Sequence, residues 1–254
     1  GSGGNRENSI AEWKTIMKNL KIVHTSDTHL GTDWKPELEK KAFRAILNGA
    51  IDLDADVVLI VGDVFDHARV ADEVLQFFVH QIRTANLPVV VLPGNHDLYG
   101  EHSVYHRAPF NDMPPNLYIL SDNDGEIISF PELGLDVWGR AMLSHTPQFR
   151  PILGMPVKTS GNWLVALAHG HYHFENDTEL RSSPIYPDEV ANATCDYLAL
   201  GHWERQVDVS NGKVKAFYSG SPLGALQSNE NVSVIMAELN TMTGVTAQQC
   251  WFPI

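Results

Sequence analysis

Three short apolar runs, each breaking abruptly into a polar turn, constrain this chain more than any other feature. Ile22-Val23-His24-Thr25 runs into Asp27-Thr28-His29, Val57-Val58-Leu59-Ile60-Val61 runs into Gly62-Asp63-Val64-Phe65-Asp66, and Pro88-Val89-Val90-Val91-Leu92 runs into Gly94-Asn95-His96-Asp97. Aliphatic runs without polar alternation mark strands buried on both faces, as in a parallel sheet. In open parallel sheets ligands gather beyond the carboxyl ends of the strands. Three strands therefore deliver carboxylates, imidazoles and an amide to one rim, which is the donor set of a metal site.

The segments between the runs fit that reading. Pro36 opens a helical stretch over 36–50 with Leu38, Phe43, Ile46 and Leu47 on one face, and a second helix is predicted over 70–83 with Val74, Phe77, Phe78 and Ile82 inward. Strand, helix, strand, helix, strand predicts parallel pairing with right-handed crossovers. Beyond Glu101 the pattern changes: short strands around 117–120, 125–130 and 135–139 are punctuated by Pro114-Pro115, Asp124-Gly125 and Gly134, which predicts an antiparallel or mixed half. A loop over 147–161 leads into a buried strand ending at His169, and another strand ends at Gly201-His202-Trp203-Glu204. Asn211-Gly212 predicts a tight hairpin between 206–209 and 214–218, and 232–239 with 245–251 close the chain as a strand pair.

Composition sets outer limits. A chain of 254 residues with 43% apolar content can bury one substantial core. Its aliphatic runs fall far short of the roughly 18 residues that span a bilayer. It opens on no basic-then-apolar signal segment, so the expectation is a soluble, cytoplasmic protein with no membrane contact. Cys195 and Cys250 are too few for a disulfide framework, in keeping with a reducing compartment. With 18 basic against 31 acidic residues the net charge is −13, so no global positive field draws the chain to nucleic acid and any grip on a phosphate backbone must be local. Gly1-Ser2-Gly3-Gly4 reads as a tag or linker and residues 1–16 as a non-native extension, in which Ile10, Trp13 and Ile16 can form a short amphipathic turn. The expected domain is a single catalytic unit over 17–254 with no C-terminal cap domain.

Asp27, His29, Asp63, Asn95, His169 and His202 each stand at or just after the end of an apolar run. Mixed oxygen and nitrogen donors suit manganese, iron or zinc better than magnesium or calcium. The set exceeds what one tetrahedral ion takes, so two ions about 3.5 to 4 Å apart, sharing a carboxylate, are the natural count. Such a pair lowers the pKa of bound water from about 15.7 to roughly 7 and fits phosphoester hydrolysis.

Asp27-x-His29, Gly62-Asp63-x-x-Asp66, Gly94-Asn95-His96-Asp97, His169 after a strand, and Gly201-His202 together resemble the ordered signature of calcineurin-like metallophosphoesterases, from Lys21 to about Pro222. Within that superfamily Ser26-Asp27-Thr28-His29-Leu30-Gly31, Gly62-Asp63-Val64-Phe65-Asp66, the segment from Asp196 to His202, and Tyr218-Ser219-Gly220-Ser221-Pro222 resemble the SbcD-like double-strand-break repair nucleases. The resemblance implies a four-layer α/β/β/α sandwich of two mixed sheets. It implies that Asp27, His29 and Asp63 hold one metal, that Asp63, Asn95, His169 and His202 hold a second, and that Asp63 bridges them. His96 would face the substrate as a catalytic group, Asp97 would orient His96, and Asp66 would brace its loop. The family usually ends its last block with Gly-His-x-His, whose second histidine binds the first metal. Here that position is Glu204, a carboxylate that can still bind a divalent ion with altered preference.

The implied activity is a two-metal DNA nuclease working with manganese, alongside a coiled-coil ATPase or another DNA-binding subunit, with a homodimer as a further possibility. Two rivals stand beside it: a small-molecule phosphoesterase acting on nucleotides or cyclic nucleotides, and a metal-binding scaffold without turnover. Other residues have plainer readings. His24 and His80 read as satisfied structural histidines, Asp52, Asp54 and Asp56 as a solvated loop, and His67, His171 and His173 as loop or cleft residues. Arg69, Tyr99, His102, Arg140 and Arg205 are candidates for phosphate or base contact.

Overall fold

The computed structural model describes residues 17–224 and 230–254. The extension over 1–16, with its expected amphipathic turn, lies outside the described residues. Strands β1 (Leu20–Thr25), β2 (Val57–Val61), β3 (Val89–Leu92) and β4 (Leu117–Ile119) run parallel, with α1 (Pro36–Asp52) and α2 (Asp72–Ala85) as the first two crossovers. The second half supplies β5 (Glu126–Phe130), β6 (Leu135–Gly139), β7 (Trp163–His169), the two-residue pair β8 (His171–Tyr172) and β9 (Pro184–Ile185), α3 (Pro187–Ala191) and β10 (Tyr197–Gly201). It ends in β11 (Gln206–Asp208), β12 (Lys215–Ser219), β13 (Asn231–Asn240) and β14 (Gly244–Pro253).

These strands form two mixed six-stranded sheets, ordered β14-β13-β1-β2-β3-β4 and β11-β12-β10-β7-β6-β5. In the second sheet β6, β7, β10 and β12 are parallel, and the two edge strands are antiparallel. The closing strand pair thus joins the first sheet through β13 against β1.

Three apolar layers explain the stacking. Ile22, Leu59, Val61 and Val90 of the first sheet face Val137, Val165, Leu167, Tyr197 and Ala199 of the second. On the outer side of the first sheet Val23, Val58, Ile60 and Val91 pack against Phe43, Ile46, Phe78 and Ile82 of the two helices. Each such side chain, fully closed from water, contributes roughly 1.5 to 3 kcal/mol. Leu75 and Val79 are buried on α2, whereas the expected inward residues Val74 and Phe77 are only half-buried. Over the second sheet, the short α3 and long loops cover Trp138, Leu164, Leu198 and Tyr218. Arg140, considered above for phosphate contact, instead ties those loops down: its Nη1 donates to the Arg150 carbonyl at 2.7 Å and its Nε to the Asn123 carbonyl at 2.7 Å. Both cysteines are free.

Candidate metal centre

The β1, β2, β3, β7 and β10 ends meet at one rim because the two sheets are stacked with these parallel strands side by side. The loops after β1 and β2 are stitched together by Asp27 N–H to the Gly62 carbonyl at 2.9 Å, His29 N–H to the Asp63 carbonyl at 3.0 Å and Leu30 N–H to the Val64 carbonyl at 2.8 Å. Asp27, His29, Asp63 and His202 all have positive φ, at 53°, 43°, 51° and 127°. L-residues rarely adopt that backbone, and here it turns four functional side chains onto one point. Two glycines permit the closeness. A Cβ on Gly201 would lie 1.9 Å from the Val61 carbonyl oxygen, and one on Gly94 would lie 2.4 Å from Asp63 Oδ1.

Three groups of close donor atoms result: Asp27 with His29 and Asp63; Asp63 with His169 and His202; and His29 with Asp66 and His96. Asp63 Oδ2 is shared, 3.8 Å from His29 Nε2 and 3.3 Å from His169 Nε2. Asn95 Oδ1 joins the second group, 3.0 Å from His169 Nε2 and 3.1 Å from His202 Nδ1. His169 Nδ1–H donates to the Val61 carbonyl at 2.9 Å, which fixes the ring with Nε2 facing Asp63 and Asn95. Nε2, the Asp63 carboxylate and the Asn95 carbonyl oxygen thus share one point, held together by a proton on His169 or by a cation that displaces it.

The electrostatics say the same. Asp27 and Asp63 are 3% and 2% exposed, and among the described residues their ionic partners are histidines alone. Burial, reinforced by the charge of Asp63 and opposed by His169, pushes Asp27 up to about 6. Burial would also lift Asp63, but the His169 imidazolium outweighs it and holds that carboxyl well below the usual range. His169 moves the other way: burial lowers it, Asp63 and Asp27 more than reverse this, and it rises to about 10. His202, half-buried and beside His169, falls to about 3, desolvation being the larger cause. The rim therefore demands positive charge that no lysine or arginine among the described residues supplies, and buried carboxylates are kept only when so compensated. The donor set fits divalent ions.

Of the residues named from sequence, Asp27, His29, Asp63, Asn95, His169 and His202 converge. Glu204 departs from expectation: it lines the same cleft, but its exposed carboxylate joins none of the three groups. Its backbone carbonyl accepts from Ser221 N–H at 3.1 Å. Asp97 departs too. Its buried carboxylate accepts from the N–H groups of Gly94, Asp63 and Val64 at 2.7, 3.1 and 2.9 Å and from the Tyr105 hydroxyl at 2.6 Å, so it clamps two turns rather than orienting the His96 ring. That ring is held by Asp66, whose carbonyl accepts from His96 Nδ1–H at 2.7 Å, while His29 Nδ1 lies 3.1 Å from Asp66 Oδ1. Sequence reasoning missed His145, whose ring sits 5.6 Å from that of His202 with Nδ1 2.8 Å from Ser183 Oγ. It follows no apolar run, and only the folded chain brings it near.

The group opens into a cleft of about 420 Å³. Two stacked mixed sheets with this acid and imidazole rim define a metallophosphoesterase. The calcineurin-like phosphoesterase family model matches residues 20–206, and the chain belongs to that family, whose members use two divalent metals.

The chain is 33% identical to the DNA double-strand break repair protein Mre11 of Archaeoglobus fulgidus over 34% of its own length and 22% of that protein's. It is 24% identical to a component of the nuclease SbcCD of Bacillus subtilis over 80% of this chain and 62% of that one. It is also 32% identical to a probable cyclic nucleotide phosphodiesterase of Fibrobacter succinogenes over 32% of each chain. The chain thus spans less than two thirds of the length of these relatives. The fold is shared with a dimetal phosphatase from Danio rerio, at a TM-score of 0.58 and 9% identity over 92% of this chain and 98% of that one. Among the described residues no helix is long and apolar enough to cross a membrane.

Proposed function

We propose that this chain is a two-metal phosphodiesterase acting on DNA in the manner of the SbcD-like nucleases, with residues 17–254 as one catalytic domain. The observation that carries the reading is the shared carboxylate: Asp63 belongs to both the Asp27–His29 group and the His169–His202 group. Asp27, His29 and Asp63 would hold one ion, and Asp63, Asn95, His169 and His202 the other. When bound, such a pair supplies Lewis acidity at a phosphoryl oxygen and a nucleophile from water at neutral pH.

The chain's own groups do the rest. His96 is exposed at the cleft with Nδ1 fixed on the Asp66 carbonyl, so its Nε2 is the atom that faces substrate and hands a proton to the leaving oxygen. Asp66 sets the ring of His29, and Asp97 keeps the turns after β2 and β3 in register. DNA as substrate is supported by the match to the SbcCD nuclease component over 80% of the chain. On the same footing the physiological metal is manganese, and a coiled-coil ATPase is the expected partner.

The test is metal analysis with a substrate panel under manganese: single- and double-stranded DNA against linear and cyclic nucleotides. Two equivalents of manganese and faster turnover of DNA are expected. Preference for cyclic nucleotides would replace the DNA reading with the small-molecule one. Two bound ions with no phosphoester cleaved would leave a scaffold.

A further inference from the structure

The cleft continues past the donor cluster along Thr32, Trp34, Glu39 and Phe43, with Pro222 and Leu223 also lining it. Glu39 stands in the first turn of α1 and is 9% exposed. Its Oε1 accepts from the Thr32 hydroxyl, while its Oε2 has no hydrogen-bond partner among the described residues. A carboxyl oxygen withheld from water with nothing to accept is costly, and native structures rarely keep one without a reason. Burial raises the pKa of this carboxyl, with Asp66 adding and His29 opposing, so the group lies within electrostatic reach of the rim.

In the same cleft the Trp34 indole is 57% exposed, with Lys35 Nζ 4.3 Å from its ring centroid. Phe43 and Leu223 add apolar wall. The chemistry of this end of the cleft is therefore a flat aromatic surface, an apolar side and an unused acceptor. A second phosphate would meet the Glu39 carboxylate and be repelled. A bare sugar would leave the indole uncovered. A nucleobase with an N–H on its edge satisfies both features, since bases stack on aromatic side chains and carboxylates accept from exocyclic amino groups.

Resting on the phosphodiesterase reading, we propose that Trp34 and Glu39 form a nucleobase subsite beside the reactive centre, where the base adjoining the scissile phosphate stacks on Trp34 and its exocyclic amino group donates to Glu39 Oε2. The subsite gives the enzyme a preference among bases at one position and leaves the phosphate chemistry to the rim.

The experiment compares adenosine 5′-monophosphate with purine riboside 5′-monophosphate, which differ only in the amino group, by calorimetric titration of the full chain with manganese present. The wild-type chain is expected to bind the amino-bearing nucleotide about tenfold more tightly, the scale of one unsatisfied acceptor. In Glu39→Met, which fills similar space without an oxygen acceptor, the difference should shrink below about threefold. In Trp34→Ala both nucleotides should weaken by a similar factor, about five- to tenfold. Equal wild-type affinities, no measurable binding of either nucleotide, or a preference that survives Glu39→Met would each overturn the subsite. Hydrolysis of bis(p-nitrophenyl) phosphate is followed in parallel. Cleavage without an amino preference removes the subsite alone, and an amino preference without cleavage of any phosphodiester removes the phosphodiesterase reading while the subsite stands.

Discussion

His24 and His169 are both closed from solvent, at 0% and 1% exposure, on strands of facing sheets, yet their protons are driven in opposite directions. His24 sits among neutral partners, with Nδ1 2.7 Å from the Tyr197 hydroxyl and Nε2 3.0 Å from the Leu200 carbonyl. Burial dominates there and lowers it to about 3. His169, the last residue of β7, loses the same hydration but faces Asp63 and Asp27, and rises to about 10. Burial alone therefore says little about a histidine. What matters is whether its neighbours are the neutral groups of a strand interior or the carboxylates that gather where parallel strands end.

The sharpest way to break this contrast is Asp63→Ala. It removes the charge that holds His169 up and the carboxylate common to both donor groups, so at least one equivalent of bound divalent metal and about 10³-fold or more in kcat/KM should be lost. Retained metal stoichiometry would show that Asp63 is not shared. His96→Ala comes next: metal content by mass spectrometry should be unchanged while turnover falls about 10²- to 10⁴-fold, and full activity would remove His96 from the proton transfer.

His24 is tested by acid. Its folded pKa lies below its unfolded value, so protons favour the unfolded chain: the stability it protects is complete above about pH 6.5 and is lost as pH falls toward 3, amounting to about 3 kcal/mol by pH 4. Urea midpoints of wild type and His24→Asn should converge on the acid side, and parallel acid limbs would mean that His24 titrates normally. The smallest effect belongs to Glu204→Ala. An exposed carboxylate outside the donor groups should change kcat/KM by less than about threefold, and a loss near tenfold would return it to the metal centre.

The convergence of Asp27, His29, Asp63, Asn95, His169 and His202 was legible because each follows an apolar run, and strand ends are where parallel sheets expose side chains. The two sheets were legible for the same reason, in the change from strand–helix alternation to short punctuated strands after Glu101. What one-dimensional spacing does not carry is contact between loops. Asp97 neighbours His96 in sequence, yet its carboxylate turns inward to three backbone N–H groups and Tyr105. Glu204 occupies a ligand's place in the pattern but stands at the cleft wall. His145 belongs to a loop whose position follows from long-range packing, and no local period announces it.

The left-handed backbone at Asp27, His29, Asp63 and His202 has an evolutionary consequence. Glycine would relax each of these positions, so a library of this chain selected for heat resistance alone should drift toward glycine there first, growing hardier as it goes inert. The converse selection, for turnover at low temperature, should leave these four codons untouched while the helices and the outer loops diversify around them.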